Sequence, residues 1–225
     1  MSIKRTIQIT CPKCQHTSDF TMWQSMNTSL DPELKAGVRD RTVFLFTCPE
    51  CGAQTYIDYG FLYHQMEDRI MIHYANSDEN AEEIKEMLIK RGNSDEDFDS
   101  MLNNMMRDSY LIRIVRSQNE LREKLAVFDA GLDDRIIEIF KVIVLVQLQH
   151  KNPDIKEPSL YFFSSDNKYY IQVISEGKPV GDIQMSEELY KKLLNDFEVG
   201  LPELRKAETE IDRQWAMDFL EAYSK

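Results

Sequence analysis

At 225 residues, 42% hydrophobic and 29% charged, the chain can bury one large core or two small ones and has the polarity of an ordinary water-exposed protein. Its formal net charge is −12, and the excess is uneven: residues 1–75 hold 7 Lys/Arg against 8 Asp/Glu, the remainder 20 against 31. Such a balance repels phosphate backbones and releases no counterions on binding them, so a nucleic-acid partner is not expected and most of the surface charge reads as solvated.

The N-terminus, "MSIKRTIQIT", carries no apolar signal region, which makes a cytoplasmic location the expectation. Residues 3–10 alternate in the manner of a strand. They run into Cys11-Pro-Lys-Cys14. A second pair, Cys48-Pro-Glu-Cys51, follows after 33 residues and is preceded by the β-branched and aromatic run "TVFLFT". The pairs contain all 4 cysteines of the chain. Two thiolates of a CxxC converge on one ion when the chain turns tightly between them. Four such sulfurs make the closed tetrahedral shell that zinc prefers, with no position left for water. A β-hairpin entering each knuckle is the zinc-ribbon layout. The expectation is one structural Zn²⁺ on Cys11, Cys14, Cys48 and Cys51. Gly52, after the second pair, suits the positive φ of such a turn, and Gln15 in the same place is less favourable. A redox CxxC expects a βαβ setting and no duplicate, and a disulfide framework needs an oxidising compartment. His16 reads as a surface histidine.

Between the pairs, Ser18–Met26 reads as a strand. Asp31 is placed to cap a short helix from Pro32 that Gly37 would end. Gln54–Tyr59 and Arg69–Tyr74 read as strands. Their link contains "FLYHQ", read as a loop packing an aromatic cluster on the sheet, with the alternative that Tyr63 and His64 face a groove. The pattern then turns helical. A helix over 78–91 carries Ile84, Met87 and Leu88 on one face and stops at Gly92. A helix over 98–107 aligns Phe98, Met101, Leu102, Met105 and Met106 as core filling. After a strand at about 110–115, Ser117 and Glu120 form a capping box for a helix over 117–130, closed by Gly131. The helix over 132–149 opens on two aspartates and is apolar on nearly every side, which suits the centre of the core. Its longest apolar run, Val142–Val146, is too short to cross a bilayer. Strands at about 159–163, 169–174 and 180–185 read as an antiparallel meander, and Ser186 caps a helix over 186–197. A last helix over 203–224 aligns Leu204, Ala207, Ile211, Trp215 and Phe219 in a stripe that needs a partner surface on this chain or a second copy.

Polar clusters offer little chemistry. Asp134 and Glu138 share a helical face and could act as an acid/base pair or bind a second, oxygen-liking metal. The simpler assignment makes Glu120 a cap, puts Asp133 and Asp134 at a helix N-terminus, and pairs Glu138 with Lys141 or Arg135. Glu123 is the other acid of this region. There is no Gly-rich phosphate loop, HExxH or GxSxG, so no catalytic residue and no organic cofactor is assigned. Lys13, answered by Glu50, is the single base of the knuckles, which gives no basic stripe.

The two CPxC pairs, "LDPELK" between them, "FLYH" after them, and "RIVRSQNELREKLAVFDAGLDDRIIEIFK" together resemble the CpXC family of bacterial and archaeal proteins, over at least residues 5–145. The resemblance implies a metal site at the same four cysteines and supplies no reaction. Gln15 departs from the usual CPxCG pattern and leaves the ligands in place. The expected architecture is α+β: a β-rich zinc ribbon over 1–75, then a mixed helical region over 76–225 with a small antiparallel sheet. The expected function is a zinc-stabilised, non-catalytic protein-binding or scaffolding role with a protein partner or a second copy. An enzyme using Asp134 and Glu138 with Tyr63 or His64, and a nucleic-acid regulator, are the alternatives.

Overall fold

The computed structural model of the chain describes residues 2–92, 109–152, 154–204 and 208–223. The fold is α+β, and the chain divides into two compact units, Met1–Gln118 and Asn119–Lys225. The sequence reading placed its boundary after residue 75. The structure places it later because the strand near residue 111 belongs to the first unit's sheet.

In the first unit, β1 (Ile3–Thr10) and β2 (Thr17–Asn27) form an antiparallel hairpin, Thr10 opposite Thr17, with the first cysteine pair in its turn. A five-stranded sheet has the order β1-β2-β5-β6-β7, where β5 is Phe61–Gln65, β6 Ile70–Tyr74 and β7 Leu111–Val115. Pairing is antiparallel within β1–β2 and β5–β6 and parallel within β2–β5 and β6–β7. Helix α2 (Asp78–Gly92) lies in the β6–β7 connection, as a parallel pair requires a long crossover. Ile84 and Leu88 of α2 pack with Ala75, Ala81 and Ile114. Burial on both faces explains why β6 and β7 read as near-continuous apolar runs.

Three local readings change. "FLYHQ" is strand β5, not a loop: Phe61, Tyr63 and Gln65 point to one buried face. "TVFLFT" is a 3₁₀ turn over Thr42–Phe44 followed by a short strand β3 (Leu45–Thr47), which pairs with β4 (Gln54–Tyr56). Helix α1 (Glu33–Arg39) has no side-chain cap, and Gly37 sits inside it. A Cβ at Gly37 would lie 2.6 Å from Val43 Cγ1, so this glycine permits close approach and does not stop the helix.

The second unit comprises α3 (Gln118–Asp129, its first residue at the boundary), α4 (Asp134–Lys151), the meander β8 (Ser159–Ser165), β9 (Lys168–Ser175) and β10 (Lys178–Met185), α5 (Glu187–Phe197) and α6 (Arg213–Tyr223). Gly131, at φ 68°, closes α3, and Leu132 N–H donates to Val127 O at 3.1 Å. Asp133 caps α4 by accepting from Arg135 N–H, and Ser186 caps α5 by accepting from Leu189 N–H. Ile136, Ile139 and Phe140 of α4 are buried against Leu160, Phe162, Ile171 and Val173 of the sheet. Ala216 of α6 joins the same core, with Trp215 and Phe219 packed at its edge, so the last helix covers part of its stripe within its own unit. That helix begins at Arg213, and Leu204 precedes it. The stretch 98–107 and Ala207 lie outside the described residues.

Candidate metal centre

The two hairpins carry backbone turns of the same form. In the first, Cys11 N–H donates to His16 O at 2.8 Å and Gln15 N–H to Cys11 O at 3.0 Å. In the second, Cys48 N–H donates to Ala53 O at 2.8 Å and Gly52 N–H to Cys48 O at 2.9 Å. Gln15 and Gly52 occupy equivalent left-handed positions, φ 61° and 69°. The knuckles face each other. Cys11 Sγ lies 3.7 Å from Cys51 Sγ and Cys14 Sγ 3.6 Å from Cys48 Sγ, and all four sulfurs fall within 4.8 Å of one another. A tetrahedral ion with about 2.3 Å bonds to sulfur sets its ligands about 3.8 Å apart. A disulfide would need about 2.05 Å, so these are four free thiols at metal-binding spacing.

Electrostatics favour the same conclusion. The Cys14 N–H, followed by the Lys13 N–H, lowers the Cys11 thiol to about 6. For Cys14 the His16 N–H also pulls downward, but desolvation and the neighbouring sulfurs of Cys51, Cys48 and Cys11 outweigh it and push that thiol up to about 12. The opposite shifts of Cys11 and Cys14 belong to sulfurs packed together without a cation, where one thiolate opposes a second beside it. A dication removes that opposition. His16 lends the knuckle its backbone and is not part of the sulfur cluster.

Aromatic rings fasten the knuckles to the sheet. Phe20 of β2 meets Phe46 of β3 edge-on at 6.3 Å, joining the bases of the two hairpins. From there the stack passes through Tyr59, Phe44 and Phe61 to Tyr74, with centroids 5.4 to 6.3 Å apart. The Tyr59 hydroxyl accepts from Trp23 N–H at 3.5 Å and donates to Val43 O at 3.4 Å, and burial lifts its pKa to about 12.

The remaining candidates do not gather around the sulfurs. Tyr63 is fully buried, donates to Gln65 Oε1 at 2.8 Å and accepts from Arg39 at 3.2 Å, and Gln65 in turn bonds Asp68. His64 points to the opposite face of β5 and contacts the Tyr110 hydroxyl at 3.2 Å, and burial lowers its pKa. Tyr63 and His64 therefore share no groove.

Asp134 and Glu138 are buried in ion pairs. Lys124 Nζ lies 2.9 Å from Asp134 Oδ2 and 3.4 Å from Glu138 Oε1, and donates to Ile211 O at 2.6 Å. Lys141 Nζ bridges Glu138 Oε1 and Glu123, both at 3.0 Å, and Glu123 also accepts from Phe162 N–H at 2.6 Å. With side-chain exposure of 0% for Asp134 and 4% for Glu138, both carboxylates face lysine ammonium groups. Asp133 pairs with Arg135 instead. Lys124 escaped the sequence reading, though its place three residues after Leu121 and four before Phe128 puts it on the apolar face of α3.

A profile of the family described as CpXC protein matches residues 9–141, more than half of the chain. The chain belongs to the CpXC family. The match spans both CPxC knuckles, the end of β1 and the other four strands of the five-stranded sheet, helix α3 and the first part of α4. The lysine and carboxylate residues buried between α3 and α4 therefore lie within the CpXC segment, while the meander, α5 and α6 follow it. No curated protein and no solved structure is significantly similar to the chain. Among the described residues, no helix is long and apolar enough to cross a membrane.

Proposed function

We propose that this CpXC protein holds one structural Zn²⁺ on Cys11, Cys14, Cys48 and Cys51, and that it acts as a non-catalytic protein-binding or scaffolding protein in the cytoplasm of a bacterial cell. The observation that carries the metal assignment is the convergence of four thiols from two hairpins to within 4.8 Å. Thiolate softness and tetrahedral spacing favour zinc over oxygen-liking ions, and four sulfurs leave no open position for a substrate. The scaffolding role draws support from the same closed shell, and from the enclosure of Asp134 and Glu138 in ion pairs. The zinc would fix the relation of the β1–β2 and β3–β4 hairpins, and so the surface they present.

The test is elemental analysis of the full chain purified without chelator, followed by cross-linking in its native cell with the metal intact or stripped. Zinc at about one per chain, with a cross-linked protein partner or second copy that disappears on stripping, is the expected result. A metal-free folded protein would overturn the zinc assignment. Zinc-loaded protein that cross-links to no protein would overturn the scaffolding role.

A further inference from the structure

We infer that the cysteine centre is a peroxide-responsive redox site whose oxidised form is closed by disulfides running between the two knuckles. The inference rests on the zinc assignment above and adds to it a second chemical state of the same residues.

Three observations carry it. The sulfurs differ in access: Cys14 is exposed and Cys51 half-buried, while Cys11 and Cys48 are buried. An oxidant in solvent meets Cys14 first, because with zinc bound all four sulfurs are thiolates and access alone distinguishes them. The close cross-knuckle contacts pair one reachable sulfur with one buried sulfur, Cys14 with Cys48 at 3.6 Å and Cys51 with Cys11 at 3.7 Å. Each reachable sulfur therefore has a resolving partner on the opposite hairpin, and an approach of roughly 1.6 Å closes either bond to disulfide length. Finally, the backbone bonds of each turn and the Phe20–Phe46 contact do not pass through the metal, so each knuckle keeps its turn and the hairpin bases keep one contact while the sulfurs change partners.

The chemistry balances with hydrogen peroxide as oxidant. The Cys14 thiolate attacks a peroxide oxygen; the S–O bond forms, the O–O bond breaks, and hydroxide leaves. The Cys48 thiolate then attacks the Cys14 sulfenic acid; the S–S bond forms, the S–O bond breaks, and a second hydroxide leaves. The sulfur pair has lost two electrons, the peroxide has gained them, and two protons from solvent convert both hydroxides to water. Cys51 and Cys11 repeat the sequence with a second peroxide. Four thiolate donors become two neutral disulfides, which no longer hold a dication. A thiol reductant reverses both steps.

The experiment treats the full zinc-loaded chain with hydrogen peroxide, follows zinc release with a chromophoric chelator, and maps disulfides by non-reducing peptide mass spectrometry. Expected are Cys14–Cys48 and Cys11–Cys51 peptides appearing with zinc release, at about two peroxides per metal ion, and recovery of zinc binding after reduction. Disulfides within a knuckle, Cys11–Cys14 or Cys48–Cys51, would overturn the inference, as would zinc retained under a roughly hundredfold excess of peroxide. A limiting amount of a thiol-alkylating reagent on the unmodified protein should label Cys14 first; first labelling at Cys11 or Cys48 would also overturn it. A chain carrying no zinc before peroxide is added refutes the metal assignment, a result separable from all of these.

Discussion

At the scale of single residues, the clearest tension is at the two equivalent left-handed positions. Gly52 takes φ 69° without steric penalty, whereas Gln15 takes φ 61° with a side chain attached. No atom lies within 4 Å of a Cβ built on Gly52, so Gly52→Ala tests the backbone term alone. It should destabilise the protein by about 1–2 kcal/mol in denaturant titration. Gln15→Gly should stabilise it by a smaller amount, because glycine's gain in the folded turn is partly offset by its freedom in the unfolded chain. Ser18 offers a second test. Among the described residues its buried hydroxyl finds no hydrogen-bond partner, so Ser18→Ala should leave stability unchanged or raise it by up to about 1 kcal/mol.

At the scale of elements, a buried polar cluster joins α3, α4, β8 and the segment before α6. Three carboxylates, from Glu123, Asp134 and Glu138, surround two ammonium groups, from Lys124 and Lys141. Removing one cation leaves two buried acids short of a partner and the Ile211 carbonyl without its donor. Lys124→Met should therefore cost about 3–5 kcal/mol, and adding Glu138→Gln should recover part of it. The matching measurement is a double-mutant cycle on the unfolding free energy. Additive effects would show that the two groups do not interact.

At the scale of the whole molecule, charge and metal give the two units different sensitivities. Burial raises the Glu123 pKa above its ordinary 4.5, so the folded protein binds that proton more tightly than the unfolded chain. Its contribution to stability is fully present below 4.5 and is lost as pH rises through the folded value. Burial opposes the charge of Lys141, but Glu123 and Glu138 hold its proton above the ordinary 10.5, a contribution lost as pH rises through that higher value. Unit Asn119–Lys225 should thus gain stability as pH falls from the folded Glu123 value toward 4.5, and Glu123→Gln should flatten that slope in urea melts across pH. Chelation should act on the other unit. With the metal stripped, Met1–Gln118 should unfold at lower denaturant while the second unit's transition stays in place, which a two-probe melt with Trp23 and Trp215 fluorescence would resolve.

The cysteine spacing, the motifs around it and the strand and helix periods were local signals, and they sufficed to name the four cysteines that cluster, the α+β class and the family. Local signals could not show that "FLYHQ" is an inner strand, since a run so rich in aromatic residues fits a packed loop equally well until its parallel pairing with β2 and antiparallel pairing with β6 are known. Nor could they show that Lys124 meets Asp134 and Glu138, because a lysine on the apolar face of α3 does not name its partners until the next helix is packed against it. Which sulfur is exposed was likewise decided only in three dimensions. Chain-local chemistry reports what a residue is able to bind. Long-range packing decides what reaches it.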